Sequence, residues 1–131
     1  MKIPLLKEII RTSPIVIHQG KYAYLKADEK NLGKHFLVSQ DQDEITVVTE
    51  EKNIKSLKYS EITRWFKLFE VRVSYPFVAP GFIAEIAKAF ASKKINILVV
   101  STYSKDYLLI KEEDSKIAIE ILKEKGFPVR S

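Results

Sequence analysis

The chain contains no cysteine. That absence removes disulfide frameworks, thiolate nucleophiles, iron–sulfur clusters and zinc–thiolate sites from consideration. Histidine is almost as scarce: His18 and His35 are the only two, too few for most metal centres unless carboxylates complete the shell. No metal site is expected and nothing requires a cofactor. No apolar run approaches the roughly 18 residues that cross a bilayer, and residues 1–11 lack the apolar segment and small-residue cleavage site of a secretion signal. A cytoplasmic protein with no membrane partner is expected. The GxGxxG, P-loop, HExxH and GxSxG patterns are absent as well, so the common nucleotide, protease and hydrolase routes have no support. A nucleophile with its base is not visible, and no catalytic residue is assigned.

What is present is an ordinary globular composition, with 46% hydrophobic and 30% charged residues among 131. That length allows one domain, or two small halves sharing a core. Lys and Arg number 22 against 17 Asp and Glu, for a net charge of +5. Such an excess would suit a nucleic-acid partner if it were concentrated. It is instead interspersed with acids, as in Lys111-Glu112-Glu113-Asp114, which describes a solvated mixed-charge surface.

Periodicity is clearest in the second half. Residues 64–75 alternate and are rich in β-branched and aromatic side chains, which predicts a strand. Tyr75-Pro76 and Pro80-Gly81 punctuate a loop; Phe82, Ile83, Ile86, Ala87 and Phe90 then fall at helical spacing down to Lys94. Apolar runs at 95–100 and 107–111, separated by polar residues 101–106, predict two more strands. Asp114 is a candidate N-cap and Gly126 a stop for a helix with the stripe Ile117, Ala118, Ile121 and Leu122, and an extended tail follows over 127–130. This order folds most economically as an α+β, ferredoxin-like βαββαβ sandwich with both helices on one face of an antiparallel sheet. The other face then needs cover from the first half or from a second copy of the chain.

The first half reads as mostly β. Residues 13–19 and 21–27 are predicted to pair across His18-Gln19-Gly20, and 35–40 with 44–50 across Asp41-Gln42-Asp43, whose acids read as turn formers rather than cation ligands. Residues 4–10 fit a helix or a strand, and 53–60 a linker. His18 and His35 read as structural or solvated rather than catalytic.

Topology brings two segments together. In a βαββαβ unit the loop into the first helix, ending in Pro80-Gly81-Phe82-Ile83, lies beside the end of the second strand, where Ser101-Thr102-Tyr103 follows. A helix start presents unpaired N–H groups to a carboxylate, glycine lets a ligand approach the backbone, the Ser101 and Thr102 hydroxyls can add hydrogen bonds, and Asp106 supplies an anion for an ammonium group. Together they suit a zwitterion.

Ser101-Thr102-Tyr103-Ser104-Lys105-Asp106-Tyr107-Leu108-Leu109-Ile110-Lys111 resembles the "S-T-[YF]-x-[TF]-D-[YH]-[IL]-L-V" segment of the ACT-domain family, in its small branch with two ACT-like halves related to arginine-sensing CASTOR proteins and to aspartokinase regulatory domains. Trp65, Gly81-Phe82-Ile83-Ala84, Lys94-Ile95-Asn96-Ile97 and Asp43-Glu44-Ile45-Thr46-Val47-Val48 fit the same pattern. The resemblance implies an ACT-like, mostly β N-terminal half at 1–60 packed on an ACT domain at 61–131. It further implies a non-catalytic regulatory or sensor module, a homodimer, that binds an amino acid at an ACT–ACT interface through Gly81, Phe82, Ile83, Ser101, Thr102, Tyr103 and Asp106. Phe82 replaces a smaller aliphatic residue of that pattern, and Ala79-Pro80 brings no charge, so a cationic ligand side chain is not specially favoured. The alternative is an RNA or single-stranded nucleic-acid binder, stacking bases on sheet aromatics such as Tyr22, Tyr24, Phe36 and Tyr107. Against it, the glycine-aromatic RNP1 pattern is missing.

Overall fold

The computed structural model describes residues 2–29 and 33–131. They form helix α1 (Leu6–Arg11), strands β1 (Ile15–Ile17), β2 (Tyr22–Ala27), β3 (Leu37–Gln40) and β4 (Ile45–Glu50), a 3-10 turn (Glu51–Ser56) and the long strand β5 (Tyr59–Val71). Helix α2 (Phe82–Ser92), β6 (Leu98–Ser101), β7 (Asp106–Lys111), a second 3-10 turn (Glu112–Asp114), α3 (Ser115–Lys125) and β8 (Val129–Arg130) complete the chain. Contacts divide it into two compact units, Met1–Gln19 with Lys67–Ser131, and Gly20–Phe66.

The larger unit carries the ferredoxin-like order β5-α2-β6-β7-α3-β8. Its sheet runs β6-β7-β5-β1-β8. The order matches the expected βαββαβ, with one addition: β1, from the N-terminal segment, stands between β5 and β8, antiparallel to the first and parallel to the second. Residues 13–19 therefore do not form a hairpin with 21–27. The interposed strand is tied at both edges, Ile15 N–H to Pro128 O at 2.7 Å and Arg72 N–H to Pro14 O at 2.9 Å. Ile15 and Ile17 lie opposite Val71 and Phe69 and share their face.

On that face the three helices close one core. Ile9 and Ile10 of α1, Phe82, Ile86 and Phe90 of α2, and Ala118, Ile121 and Leu122 of α3 meet Ile15, Phe69, Val71, Leu108 and Ile110. The spacing of Phe82, Ile86 and Phe90 puts one side chain per turn against the sheet. At the far end of α3, Gly126 takes φ 107° and Phe127 N–H bonds Leu122 O at 3.1 Å, a left-handed closure open to glycine at little cost. At its start Asp114 occupies the cap position but makes no side-chain cap bond, because the 3-10 turn runs straight into the helix; Ser115 Oγ donates to Glu112 O instead, at 2.9 Å.

The smaller unit is an antiparallel sheet ordered β3-β4-β2-β5. The β3–β4 hairpin closes as its acids suggest: Asp41 Oδ1 accepts the Asp43 and Glu44 N–H groups at 2.8 and 3.0 Å. Ala23, Leu25, Ala27, Val47 and Leu57 form its core, with Trp65 against them. The expected linker at 53–60 is in fact the end of the 3-10 turn and the start of β5, which begins at Tyr59 rather than near Arg64. Leu57 is the reason: its burial holds the turn against the strands.

Phe90 is fully buried. Phe90→Ala should lower stability by about 3–5 kcal/mol, read as a reduced urea midpoint with an unchanged slope.

Candidate functional site

The approach to α2 is built from two proline turns. Pro80 and Gly81 form the centre of a tight turn in which Phe82 N–H bonds back to Ala79 O at 3.2 Å, with Gly81 at φ 85°, ψ −4°. Proline followed by a residue at positive φ defines a type II turn, and glycine is the residue that accepts that second position. The turn delivers the chain directly into α2, whose first helical bond runs from Glu85 N–H to Gly81 O at 2.9 Å. The N–H groups of Ile83 and Ala84 belong to that opening turn and have no acceptor within the helix. Pro76 precedes Phe77, which also takes positive φ, 69°, without being glycine. For a bulky residue this costs about 1–2 kcal/mol.

The second wall is the β6–β7 hairpin. Ser101 lies directly opposite Asp106, and its Oγ donates to Asp106 Oδ1 at 2.6 Å. Thr102 N–H bonds Lys105 O at 2.8 Å, closing the loop, and the Thr102 hydroxyl leans on the same carbonyl at 3.4 Å. Both hydroxyls expected to face a ligand are thus engaged inside the hairpin. Ser101 positions the carboxylate, leaving Oδ2 open. Asp106 is half-buried, on the same face as Leu108 and Ile110 and hence toward the helices.

All seven predicted residues, Gly81, Phe82, Ile83, Ser101, Thr102, Tyr103 and Asp106, line one cavity of about 420 Å³. Phe82 differs in kind from the rest. It is 3% exposed and packs edge-on against Phe127, ring centroids 5.8 Å apart, so it anchors the helix start in the core. Sequence reasoning does not assign Val73, Tyr75, Phe77 or Lys105 to the site, although Phe77 opens the loop it sets beside the hairpin and Lys105 adjoins Asp106. The period-2 pattern running on through Phe69, Val71, Val73 and Tyr75 was the available signal for the first two. Phe77 is legible only as a member of that loop, because an exposed ring carries no periodicity of its own. Phe77 and Tyr103 meet edge to face at the cavity, centroids 5.2 Å apart and planes at 71°, although they are 78% and 85% exposed.

A separate polar cluster lies on the opposite face of β5. Glu70, 5% exposed, accepts from His18 Nε2 at 2.7 Å and from Arg72 Nε at 2.5 Å. Burial pushes the Glu70 carboxyl up, but the bonds and charges of Arg72 and His18 outweigh it and hold the group below the usual carboxylate range. Nearby Tyr107 is pushed up by burial and by the Glu70 charge. His35 Nδ1 pairs with the buried Thr49 hydroxyl at 2.8 Å. His18 is thus held by Glu70 and His35 by Thr49, the buried Nε2 of His35 having no hydrogen-bond partner among the described residues.

Tyr22 is buried, edge-on to Phe36, and Tyr24 packs on Phe66 at 5.5 Å. Among the described residues no group of three or more His, Asp and Glu is placed to hold a metal ion, and no helix is long and apolar enough to cross a membrane.

A ferredoxin-like α+β module with a cavity between the first helix start and the central hairpin is the class that fold and geometry define. Residues 61–124 match the family model of the ACT domain, and this stretch, from β5 to α3, is an ACT domain. Among solved structures, a Vibrio cholerae protein of unknown function, titled a possible transport protein, shares 20% identity over 92% of this chain and 95% of that one, with a TM-score of 0.74. An Agrobacterium tumefaciens protein reaches 21% identity over 89% and 91%, with a TM-score of 0.74. The regulatory subunit of aspartate kinase from Thermus flavus is similar at 10% identity over 86% and 96%, TM-score 0.65. At these identities the likeness is one of fold. No curated protein sequence matches the chain.

Two outcomes test this geometry. Gly81→Ala should destabilise the fold by about 1–2 kcal/mol, since its Cβ, although free of clashes beside Leu6 at 3.7 Å, meets φ 85°. Because the folded-state Glu70 value lies below that of an unfolded glutamate, near 4.3, its stabilising contribution is full at neutral pH and is lost as pH falls through the folded value. The stability difference between wild type and Glu70→Gln, measured by urea titration, should therefore shrink as pH drops from about 5 to 3.

Proposed function

We propose that this protein is a non-catalytic regulatory module that senses a free amino acid. Its main-chain carboxylate faces the opening turn of α2 and its ammonium group the open oxygen of Asp106. The observation that carries the reading is that two segments twenty residues apart, one ending in Gly81-Phe82-Ile83 and one containing Ser101 to Asp106, line a single cavity of about 420 Å³, a size in the range of small-molecule sites. Glycine at the helix start and a half-buried carboxylate aligned by Ser101 supply groups of opposite sign for a zwitterion.

The regulatory role is supported by the ACT domain itself and by the aspartate kinase regulatory subunits that share the fold. Of the half expected at 1–60, residues 1–19 pack with the larger unit, the remainder acts as a second ACT-like half, and the amino acid binds at an ACT–ACT interface in a homodimer. The exposure of Phe77 and Tyr103 beside the cavity supports that part of the reading.

A thermal-shift screen of the twenty amino acids tests the proposal. A ligand at a hundred times its Kd should stabilise the fold by about 2.7 kcal/mol, a rise of roughly 5 °C or more in Tm. Asp106→Asn should abolish the rise while leaving the unliganded Tm close to that of the wild type. No shift with any amino acid would overturn the reading.

A further inference from the structure

We propose that the edge-to-face pair of Phe77 and Tyr103 sets the specificity of the cavity, selecting an amino acid with an aromatic or large aliphatic side chain over one with a charged side chain. This rests on the reading of the cavity as an amino-acid site. Phe77 comes from the loop ahead of α2 and Tyr103 from the β6–β7 hairpin, so the pair joins the two walls across the cavity.

Neither ring is held there by burial, at 78% and 85% exposure. The Phe77 backbone is moreover in the left-handed region at φ 69°, where a bulky side chain is disfavoured. An exposed ring on an unfavourable backbone does little for the unliganded fold. It does present an aromatic surface to whatever enters the cavity, and strained positions of this kind cluster at ligand clamps.

Charge gives the direction of selection. The cavity lining contains one carboxylate, Asp106, and one ammonium, Lys105. With Asp106 engaged by the ligand's ammonium group, a cationic side chain meets no second carboxylate. An acidic side chain meets Lys105 alone while losing water against Val73, Tyr75 and the two rings, and a single partner does not offset that desolvation. An aromatic or large aliphatic side chain loses only apolar hydration there and adds a ring or branched contact to the pair.

Calorimetric titration of the full chain with L-phenylalanine, L-leucine, L-arginine and L-glutamate tests this. Phenylalanine or leucine should bind at least about tenfold more tightly than arginine and glutamate. Tyr103→Ala and Phe77→Gly should each weaken phenylalanine binding by about tenfold and narrow the gap to the charged ligands. Phe77→Gly should also leave the unliganded Tm unchanged or raised, since glycine accepts φ 69°, which separates a lost contact from a lost fold. Charged ligands binding as tightly as phenylalanine, or variants that keep full phenylalanine affinity, would overturn the specificity and leave the amino-acid site standing. Shifts confined to small or polar members of the twenty would do the same. No binding by any of the twenty would overturn both.

Discussion

The start of α2 is fixed from two sides at once. The left-handed backbone of Gly81 completes a tight turn with Ala79, and the ring of the next residue, Phe82, is buried against Phe127. Turn and anchor together set where the helix axis begins and which way its first N–H groups point. Everything the cavity presents on that side follows from this constraint. The opposite wall is equally determined, because the register that sets Ser101 across from Asp106 also sends Leu108 and Ile110 into the core. A slip of one residue would carry those two to the other face of the strand and turn the carboxylate away from the helices.

The N-terminal segment completes the unit rather than decorating it. Strand β8 is two residues long and can offer only a short ladder of its own. The insertion of β1 between it and β5 adds bonds at both edges and two apolar side chains to the core. The segment ahead of β1 is secured by Ser13, whose buried hydroxyl donates to Ile9 O while Ser74 N–H donates to it. The His18–Glu70–Arg72 cluster on the other face of the same strands keeps a buried carboxylate paired on two sides, which is what makes burying it tolerable.

Legibility in the sequence followed the range of the interactions involved. Helices α2 and α3 announced themselves through apolar spacing, and Gly126 and the Asp41 turn through local backbone chemistry. All of these are settled within a few residues. The pairing of β1 was not legible, since Ile15-Val16-Ile17 satisfies any neighbouring strand and nothing local distinguishes β2 from β5. The apparent linker after residue 53 failed for a related reason: Leu57 is an ordinary apolar residue until the fold supplies a core to receive it.

The same division holds at the cavity. Residue types and their spacing along the chain determined which groups could meet there: a glycine turn opening a helix, and an acid at the end of a strand. Only the tertiary structure decided how those groups are used. It turned the Ser101 and Thr102 hydroxyls inward to the hairpin, buried the Phe82 ring, and set Phe77 against Tyr103 from a loop with no periodicity to read. Backbone propensity and hydrophobic pattern act over one or two turns of chain. Side-chain direction depends on partners tens of residues away, which exist only once the sheet and helices have closed on each other.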